Sequence, residues 1–156
     1  MGIGQRLVKL SDRFYDRMRD PQAKEAARGE PTAQGFDALR GASYCLLVSY
    51  RRSGEPMPTP VWFGLDAESR LYVRSEADAA KVKRIRANSR VLVAPANSRG
   101  KPTGPLAEGL ARVLPKDEEA RAEQALRSNY GLGRRLYEGM SVPLGVDSVY
   151  LEVTPT

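Results

Sequence analysis

Three prolines at every second position, Pro56, Pro58 and Pro60, constrain this chain more than any other feature. The segment 55–66 otherwise has the pattern of a β-strand. Proline has no backbone N–H to donate to a neighbouring strand, and residues two apart point to the same side. The sequence therefore predicts that this segment starts along the rim of a sheet. Beyond it, the N–H groups of Val61 and Trp62 would face a planar heteroaromatic ring, or else Trp62 is a core residue of an edge strand.

The order of the predicted elements favours a mainly β (α+β) fold. Strands are predicted at 43–50, 55–66, 71–74, 90–95, 107–114 and 146–153, and helices at 5–19, from 75 onward, at 115–130 and at 132–140. Short connections favour antiparallel pairing, so six such strands with few helices predict a six-stranded antiparallel β-barrel with flanking helices. At 156 residues we expect one core. Residues 1–35 are predicted to be an N-terminal helix and loop extension, and 36–156 the barrel domain.

The stretch 70–86 predicts a strand that turns directly into a helix. Ser75 and Asp78 have the spacing of a helix-capping box, and the N–H groups at a helix N-terminus attract anions. Arg74 precedes that turn, Lys81 is expected about one and a half turns into the helix, and Arg84 shares the face of Lys81. These residues predict a phosphate clamp. The alternative is a solvated basic helix after an edge strand.

Positive charge is concentrated in residues 70–101. This stretch holds nine Lys and Arg residues and two acidic ones, whereas the whole chain has a net charge of +6. A local positive field is what a site for an anionic ligand requires. In the turn at 97–105, Arg99 and Lys101 are either exposed turn residues or cations that reach the polar edge or acidic tail of a ligand.

Composition excludes several kinds of chemistry. The chain has no histidine and one cysteine, so Ser-His-Asp and Cys-His catalysis, the usual zinc sites (we predict no metal) and imidazole ligation of haem are excluded. An enzyme of this composition is expected to take its chemistry from an organic cofactor. No apolar run approaches the length of a membrane span and no signal peptide is evident, so we expect a cytoplasmic protein.

The motif Leu-Tyr-Val-Arg74-Ser75-x5-Lys81-Val-Lys-Arg-Ile-Arg resembles the phosphate-binding segment of the pyridoxamine-5′-phosphate-oxidase-like split barrels. Pro58-Thr-Pro60-Val-Trp62-Phe and the turn Arg99-Gly100-Lys101-Pro share this resemblance, which covers about residues 40–155. It is closest to the flavin/deazaflavin oxidoreductase superfamily, in the branch that uses the deazaflavin coenzyme F420. The oxidases themselves usually carry an Arg-Lys pair where this chain has Ala80-Lys81, and their C-terminal His and Arg motif is absent. The resemblance therefore does not extend to oxidation of pyridoxine phosphate.

The resemblance implies a split barrel that forms a homodimer with two cofactor sites at the subunit interface. Its ring would lie against the strand at Thr59, Pro60, Val61 and Trp62, and its phosphate beside Arg74, Ser75 and Lys81. Arg84, Asn97, Arg99, Gly100 and Lys101 complete the implied cofactor site. No catalytic residue is implied; Tyr130, Tyr137 and solvent are all candidate proton donors.

Both FMN and F420 fit a phosphate clamp, but F420 also carries a tail of carboxylates. Lys83, Arg84, Arg99 and Lys101 remain after one phosphate is matched, and Arg134 and Arg135 would add to them across a dimer. We therefore expect F420, with FMN as the alternative, and hydride transfer to a small organic acceptor. One rival is a carrier that stores F420 without turnover. Another is a nucleic-acid-binding barrel, which the low aromatic content of 7% disfavours.

Overall fold

The computed structural model describes residues 20–130 and 147–156. Helix α1 spans Pro21–Ala27, α2 Ala80–Ala87 and α3 Glu119–Tyr130. The strands are β1 Tyr44–Tyr50, β2 Pro56–Val61, β3 Gly64–Leu65, β4 Leu71–Glu76, β5 Arg90–Ala96, β6 Ala107–Val113 and β7 Ser148–Pro155. Short 3₁₀ helices lie at Asp37–Leu39 and Lys116–Glu118.

These strands form one antiparallel sheet in the order β2-β1-β5-β6-β7-β4-β3. The prediction of a mainly β, antiparallel fold is confirmed. The predicted number of six strands is wrong, because the structure has seven in the described residues. The segment 55–66 breaks at Trp62 and Phe63 into β2 and β3, which lie at opposite ends of the strand order. Since two residues reach at most about 11 Å from one strand to the next, the two ends of the sheet are close together and the sheet is curled.

The inner face of the curled sheet holds the main core. Side chains alternate along each strand, so every second residue of β1, β4, β5 and β7 enters this core. Its largest fully buried members from the strands and the crossover are Leu47, Phe63, Leu71, Val73, Val91, Val93, Leu151 and Val153. Two smaller clusters lie on the outer face. Helix α1 covers Leu46, Val48 and Leu92 through Ala23 and Ala27, and α3 covers Tyr72 and Leu114 through Ala122 and Ala125.

The start of α2 differs from the sequence prediction. Ser75 was expected to cap the helix, but it lies inside β4, opposite Val149 of β7. The capping-box prediction is therefore wrong, because pairing with β7 prevails over the local capping signal. The N-cap residue is Ala79, and Lys81 is the second residue of the helix instead of lying one and a half turns into it.

The remaining helix predictions have mixed outcomes. The helix predicted at 115–130 is present as Lys116–Glu118 followed by α3. Residues 21–34 were expected to form a loop or a frayed helix, and the structure has α1 there, with Gln22 N donating to Asp20 Oδ1 at 2.8 Å. The predicted helices at 5–19 and 132–140, with Arg134, Arg135 and Tyr137, lie outside the described residues. Within 20–130 and 147–156, none of the helices has the length and apolar character needed to cross a membrane.

Close packing of α3 fixes the crossover between β2 and β3. A Cβ atom on Gly64 would lie 2.3 Å from Ala125 O and 2.6 Å from Leu126 N, so only glycine lets the helix backbone approach this closely. One turn later, Asn129 Nδ2 donates to Phe63 O at 2.8 Å. The same helix therefore contacts two adjacent residues of the crossover, Phe63 and Gly64.

A buried carboxylate joins α3 to the sheet. Glu152 of β7, 4% exposed, accepts hydrogen bonds from Tyr72 Oη at 2.9 Å, Arg112 Nε at 3.0 Å and Arg121 at 2.9 Å. Burial alone would raise the pKa of Glu152, but these hydrogen bonds and the two guanidinium charges outweigh it, so its pKa is lowered. Burial and the bond to Glu152 raise the pKa of Tyr72, which remains a neutral donor.

We predict that Gly64→Ala lowers the free energy of unfolding by about 1–3 kcal/mol, the usual penalty for overpacking a close contact. The new methyl group would meet helix backbone, which cannot rotate away. Urea unfolding measures this loss. Gly29→Ala is the comparison variant, because its Cβ would come no closer than 3.1 Å to backbone. Equal losses in the two variants would contradict the packing at α3.

We predict that Glu152→Gln lowers the free energy of unfolding at neutral pH by about 1.5–3 kcal/mol, the range for hydrogen bonds to charged groups. A lowered carboxyl pKa stabilises the folded protein above the ordinary carboxyl range, and this contribution is lost as the pH falls. The wild-type protein should therefore lose more stability than Glu152→Gln as the pH falls from 7 through the ordinary carboxyl value of 4.5 and below it. Chemical denaturation across this range tests it, with the exposed Glu25→Gln as control. Parallel pH profiles for wild type and Glu152→Gln would count against the cluster.

Candidate functional site

The sheet is not fully closed where its two ends meet. Strand β3 pairs only with Leu71 and Tyr72, so residues 73–76 of β4 have β7 on one side and no strand on the other within the described residues. Strand β2 likewise pairs only with β1 in that part of the chain. We call the gap between the unpaired edges of β2 and of β4 residues 73–76 the seam. Four predicted site residues, 59–62, border it from one side and two, 74 and 75, from the other.

The β2 side of the seam offers hydrogen-bond acceptors. Backbone groups of successive strand residues point to alternate sides, and β2 needs N–H donors facing β1. Thr59 and Val61, which lie opposite Leu47 and Cys45, supply such donors, so Pro56, Pro58 and Pro60 direct their carbonyls to the unpaired edge. The prediction that the prolines run along a rim is confirmed. The same alternation turns the Val61 N–H toward β1 instead of toward a ligand.

The β4 side of the seam offers both a donor and an acceptor. Ala77 N donates to Asp147 O at 2.8 Å on the β7 side, and Leu114 N donates to Tyr150 O at 2.8 Å on the β6 side. Because backbone groups alternate along a strand, these two bonds imply that the N–H and C=O groups of Val73 and Ser75 face β7. The N–H and C=O of Arg74 then point into the seam. A ligand in the seam would thus meet carbonyls on one edge and a backbone N–H on the other.

The side chains of Arg74 and Ser75 point to opposite faces of β4. Ser75 is 1% exposed on the inner face, and its Oγ donates to Glu76 O at 3.2 Å. Arg74 lies on the outer face beside Tyr150, whose pKa is raised by burial and by its hydrogen bond to Glu123, and lowered in part by the Arg74 charge. The structure therefore does not bring these two side chains together as a clamp. What Arg74 presents to the seam is its backbone.

Helix α2 carries cations to the mouth of the curled sheet beside the seam. It begins after β4, buries Val82 and Ile85 in the inner core and packs against both β6 and β1. Arg84 Nε donates to Ser49 Oγ of β1 at 2.7 Å. Ser49 lies opposite Met57 of β2, two residues and so about 7 Å along the strand from Thr59. Lys81, half-buried, stands about one helical turn before Arg84.

A tight turn brings Asn97, Arg99, Gly100 and Lys101 against the outer face of β2. Asn97 Oδ1 accepts from the N–H groups of Arg99 and Lys101, both at 3.0 Å, so the Asn97 side chain builds the turn. Gly100 is buried with φ of +87°, a conformation that favours glycine, and a Cβ there would meet Pro60 at 3.5 Å. Arg99 and Lys101 are exposed beside it.

Trp62 lies at the crossover that ends the β2 side of the seam. It is half-buried and its ring meets Tyr44 edge to face, with centroids 5.8 Å apart. The adjacent Val61 is buried in the inner core, as is Phe63. Trp62 is therefore not a fully buried core residue.

Part of the positive charge predicted from the sequence is neutralised by acidic residues outside the stretch 70–101. Arg70 pairs with Asp66 at 2.7 Å and with Glu68 at 3.2 Å, and Arg90 pairs with Glu108 at 3.4 Å. These partners lie outside the counted stretch or on another strand. The local field is thus smaller than the count of nine cations implied, and it is concentrated on α2 and the 97–101 turn.

Two residues near the site were not predicted from the sequence. Ser49 lies within an apolar run and Tyr44 at its start, so neither carries a motif. The sheet register, which pairs β1 with β2, shows that Ser49 adjoins the site, and the ring contact with Trp62 shows the same for Tyr44. The described residues contain no group of three or more His, Cys, Asp or Glu placed to hold a metal ion. Burial raises the pKa of the Cys45 thiol to about 12, so it is not a nucleophile at neutral pH.

The pyridoxamine 5′-phosphate oxidase family model matches residues 32–154, so the chain belongs to that family. No curated protein sequence matches it. Among solved structures, it resembles an F420 reductase with a TM-score of 0.54 and 24% identity, covering 80% of this chain and 96% of that one. An FAD-binding protein from Mesorhizobium loti matches with a TM-score of 0.55 and 17% identity, covering 76% of this chain and 82% of that one. A heme storage protein from Vibrio cholerae matches with a TM-score of 0.53 and 15% identity, covering 74% of this chain and 82% of that one. At such identities these likenesses show the fold alone.

We predict that Asn97→Ala loosens the 97–101 turn, because two backbone N–H groups lose their acceptor. At about 0.5–1.5 kcal/mol for each hydrogen bond, amide exchange at Arg99 and Lys101 should accelerate several-fold or more. Hydrogen–deuterium exchange read by NMR measures this. The control is Asn88→Ala, since Asn88 Oδ1 accepts from Arg90 N alone. Unchanged exchange in Asn97→Ala would show that the side chain does not hold the turn.

Proposed function

We propose that the protein is an F420-dependent oxidoreductase that transfers a hydride between the deazaflavin and a small organic acceptor. The proposal includes a cytoplasmic split-barrel homodimer, with cofactor sites at the subunit interface. The observation that carries it is the placement of Arg84 and Lys81 at the mouth beside the seam, next to the β2 segment predicted to hold a ring. Family membership and the likeness to an F420 reductase support the same cofactor class.

The chemistry of the seam fits a cofactor with a planar polar ring and an anionic end. The ring's N–H groups would meet the proline carbonyls of β2, and its carbonyl oxygens the Arg74 N–H on β4. Trp62 would cover one side of the ring and exclude water. The phosphate would lie toward α2, where Lys81 and the Ser49-bound Arg84 supply charge-assisted donors.

F420 is favoured over FMN by cations on both sides of β2. Lys83 is exposed on α2, and Arg99 and Lys101 are exposed at the turn beside Pro60. A carboxylate tail needs cations beyond those that bind one phosphate, and these three would add positive charge for it. FMN is the alternative cofactor, and a carrier that binds F420 without turnover is the alternative function.

The deazaflavin, when bound, supplies two-electron hydride chemistry. The protein's part is to bind the ring between the two strand edges, to hold the acceptor in line and to stabilise developing charge. We assign no catalytic residue. Tyr130 and Tyr137, the candidate proton donors, have no described side chain.

The absorption spectrum of the protein, purified from a host that makes both F420 and FMN, tests the choice of cofactor. A deazaflavin spectrum supports the proposal, and a flavin spectrum supports FMN. An apoprotein that also fails to bind either cofactor on addition would contradict the proposed function. Stopped-flow oxidation of the bound, reduced cofactor by enones and quinones separates an enzyme from a carrier.

We predict that Lys81→Ala weakens F420 binding about tenfold or more without unfolding the protein, because a charge-assisted hydrogen bond to the ligand contributes roughly 1.5–3 kcal/mol. Fluorescence titration measures the affinity. Arg86→Ala is the matched control, since it removes the same charge from an exposed position of α2. Equal weakening in both variants would indicate a diffuse charge effect, and unchanged affinity in Lys81→Ala would remove Lys81 from the site.

A further inference from the structure

Ser49 is one of few buried polar side chains among the described residues. It is 1% exposed and lies on the inner face of β1, between apolar neighbours. A buried hydroxyl is unfavourable unless it is hydrogen-bonded. Here the bond comes from a charged group on another element, because Arg84 Nε lies 2.7 Å from Ser49 Oγ.

This bond fixes the direction of the Arg84 guanidinium. Val82 and Ile85, buried at 0% and 2% exposure, hold the backbone of α2 on either side of Arg84. The bond to Ser49 then fixes the plane of the guanidinium through Nε, the nitrogen nearest the stem. Arginine binds oxyanions through planar, directed N–H groups, so fixing the plane also sets the directions in which its terminal N–H groups point.

We propose that Ser49 is a positioning residue that holds Arg84 for an oxyanion of the bound cofactor. This inference rests on the proposed function. The oxyanion is a phosphate or a carboxylate, since a guanidinium binds both in the same way. The geometry supports the role because Ser49 lies opposite Met57 of β2. Met57 is two residues before Thr59, where the predicted ring-binding segment 59–62 begins. An arginine ordered before the ligand arrives loses less side-chain freedom on binding.

Affinity titrations of Ser49→Ala, Arg84→Ala and the double variant test this role. The probes are FMN and riboflavin, which differ by one phosphate, and F420 and its deazaflavin chromophore lacking the phosphate and tail. Ser128→Ala is the control, because its hydroxyl bonds only within α3, to Gln124 O. All titrations are made at a temperature at which each variant is folded by circular dichroism.

Ser49→Ala should weaken binding of F420, either alone or together with FMN, about three- to tenfold, the loss of one ordering hydrogen bond. It should leave riboflavin and the truncated deazaflavin unchanged. In the Arg84→Ala background the Ser49 substitution should have no further effect, because it acts through Arg84. Weakening of F420 alone would place Arg84 on the carboxylate tail, and weakening of both F420 and FMN would place it on the phosphate.

Three results would overturn the inference. One is additive losses in the double variant, which would mean that Ser49 acts independently of Arg84. A second is a lowered melting temperature in Ser49→Ala with unchanged affinity, the mark of a purely structural bond. The third is equal weakening for probes with and without the anionic end. A wild-type protein that binds none of the four probes would instead overturn the proposed function, and the inference with it.

Discussion

The missing N–H groups of Pro56, Pro58 and Pro60 are the constraint on which the rest of the structure depends. A strand with donors on one side only can accept one neighbour, so β2 ends the sheet. The chain then crosses through Trp62 and Phe63 to β3, at the other end of the strand order. Because β3 is only two residues long, one edge of β4 residues 73–76 has no strand beside it in the described part of the chain. The seam thus follows from the prolines and the short crossover together.

Helix α2 contributes both to the apolar core and to the candidate site. One of its faces buries Val82 and Ile85 in the inner core, and the adjoining positions carry Lys81 and Arg84. The cations are therefore placed by apolar packing. On the outer face of the sheet, α3 positions the crossover, because its backbone packs on Gly64 and its Asn129 side chain donates a hydrogen bond to Phe63 O. Packed helices thus adjoin the seam from both faces of the sheet, and binding sites are best supported on such regular elements.

Much of the fold could be predicted from the sequence, because the strand patterns and the prolines are local signals. The sequence did not show the break after Val61, since apolar residues continue to Leu65 and only α3 packing at Gly64 explains it. Ser75 was misassigned for a related reason: its capping signal is local, but the pairing with Val149 is not. The Ser49–Arg84 contact joins residues 35 apart and depends on sheet register, so no motif could reveal it.

The central claim is that an anionic redox cofactor binds at the seam, between β2, β4 and α2. Two-dimensional ¹⁵N NMR during titration with F420 tests it most directly, because each amide reports its own surroundings. The account predicts the largest shifts at the Arg74 amide, at Lys81 and Arg84, and at the Trp62 indole. Shifts confined to the cleft of about 300 Å³ lined by Arg28, Glu30 and Tyr50, with the seam amides unmoved, would contradict it.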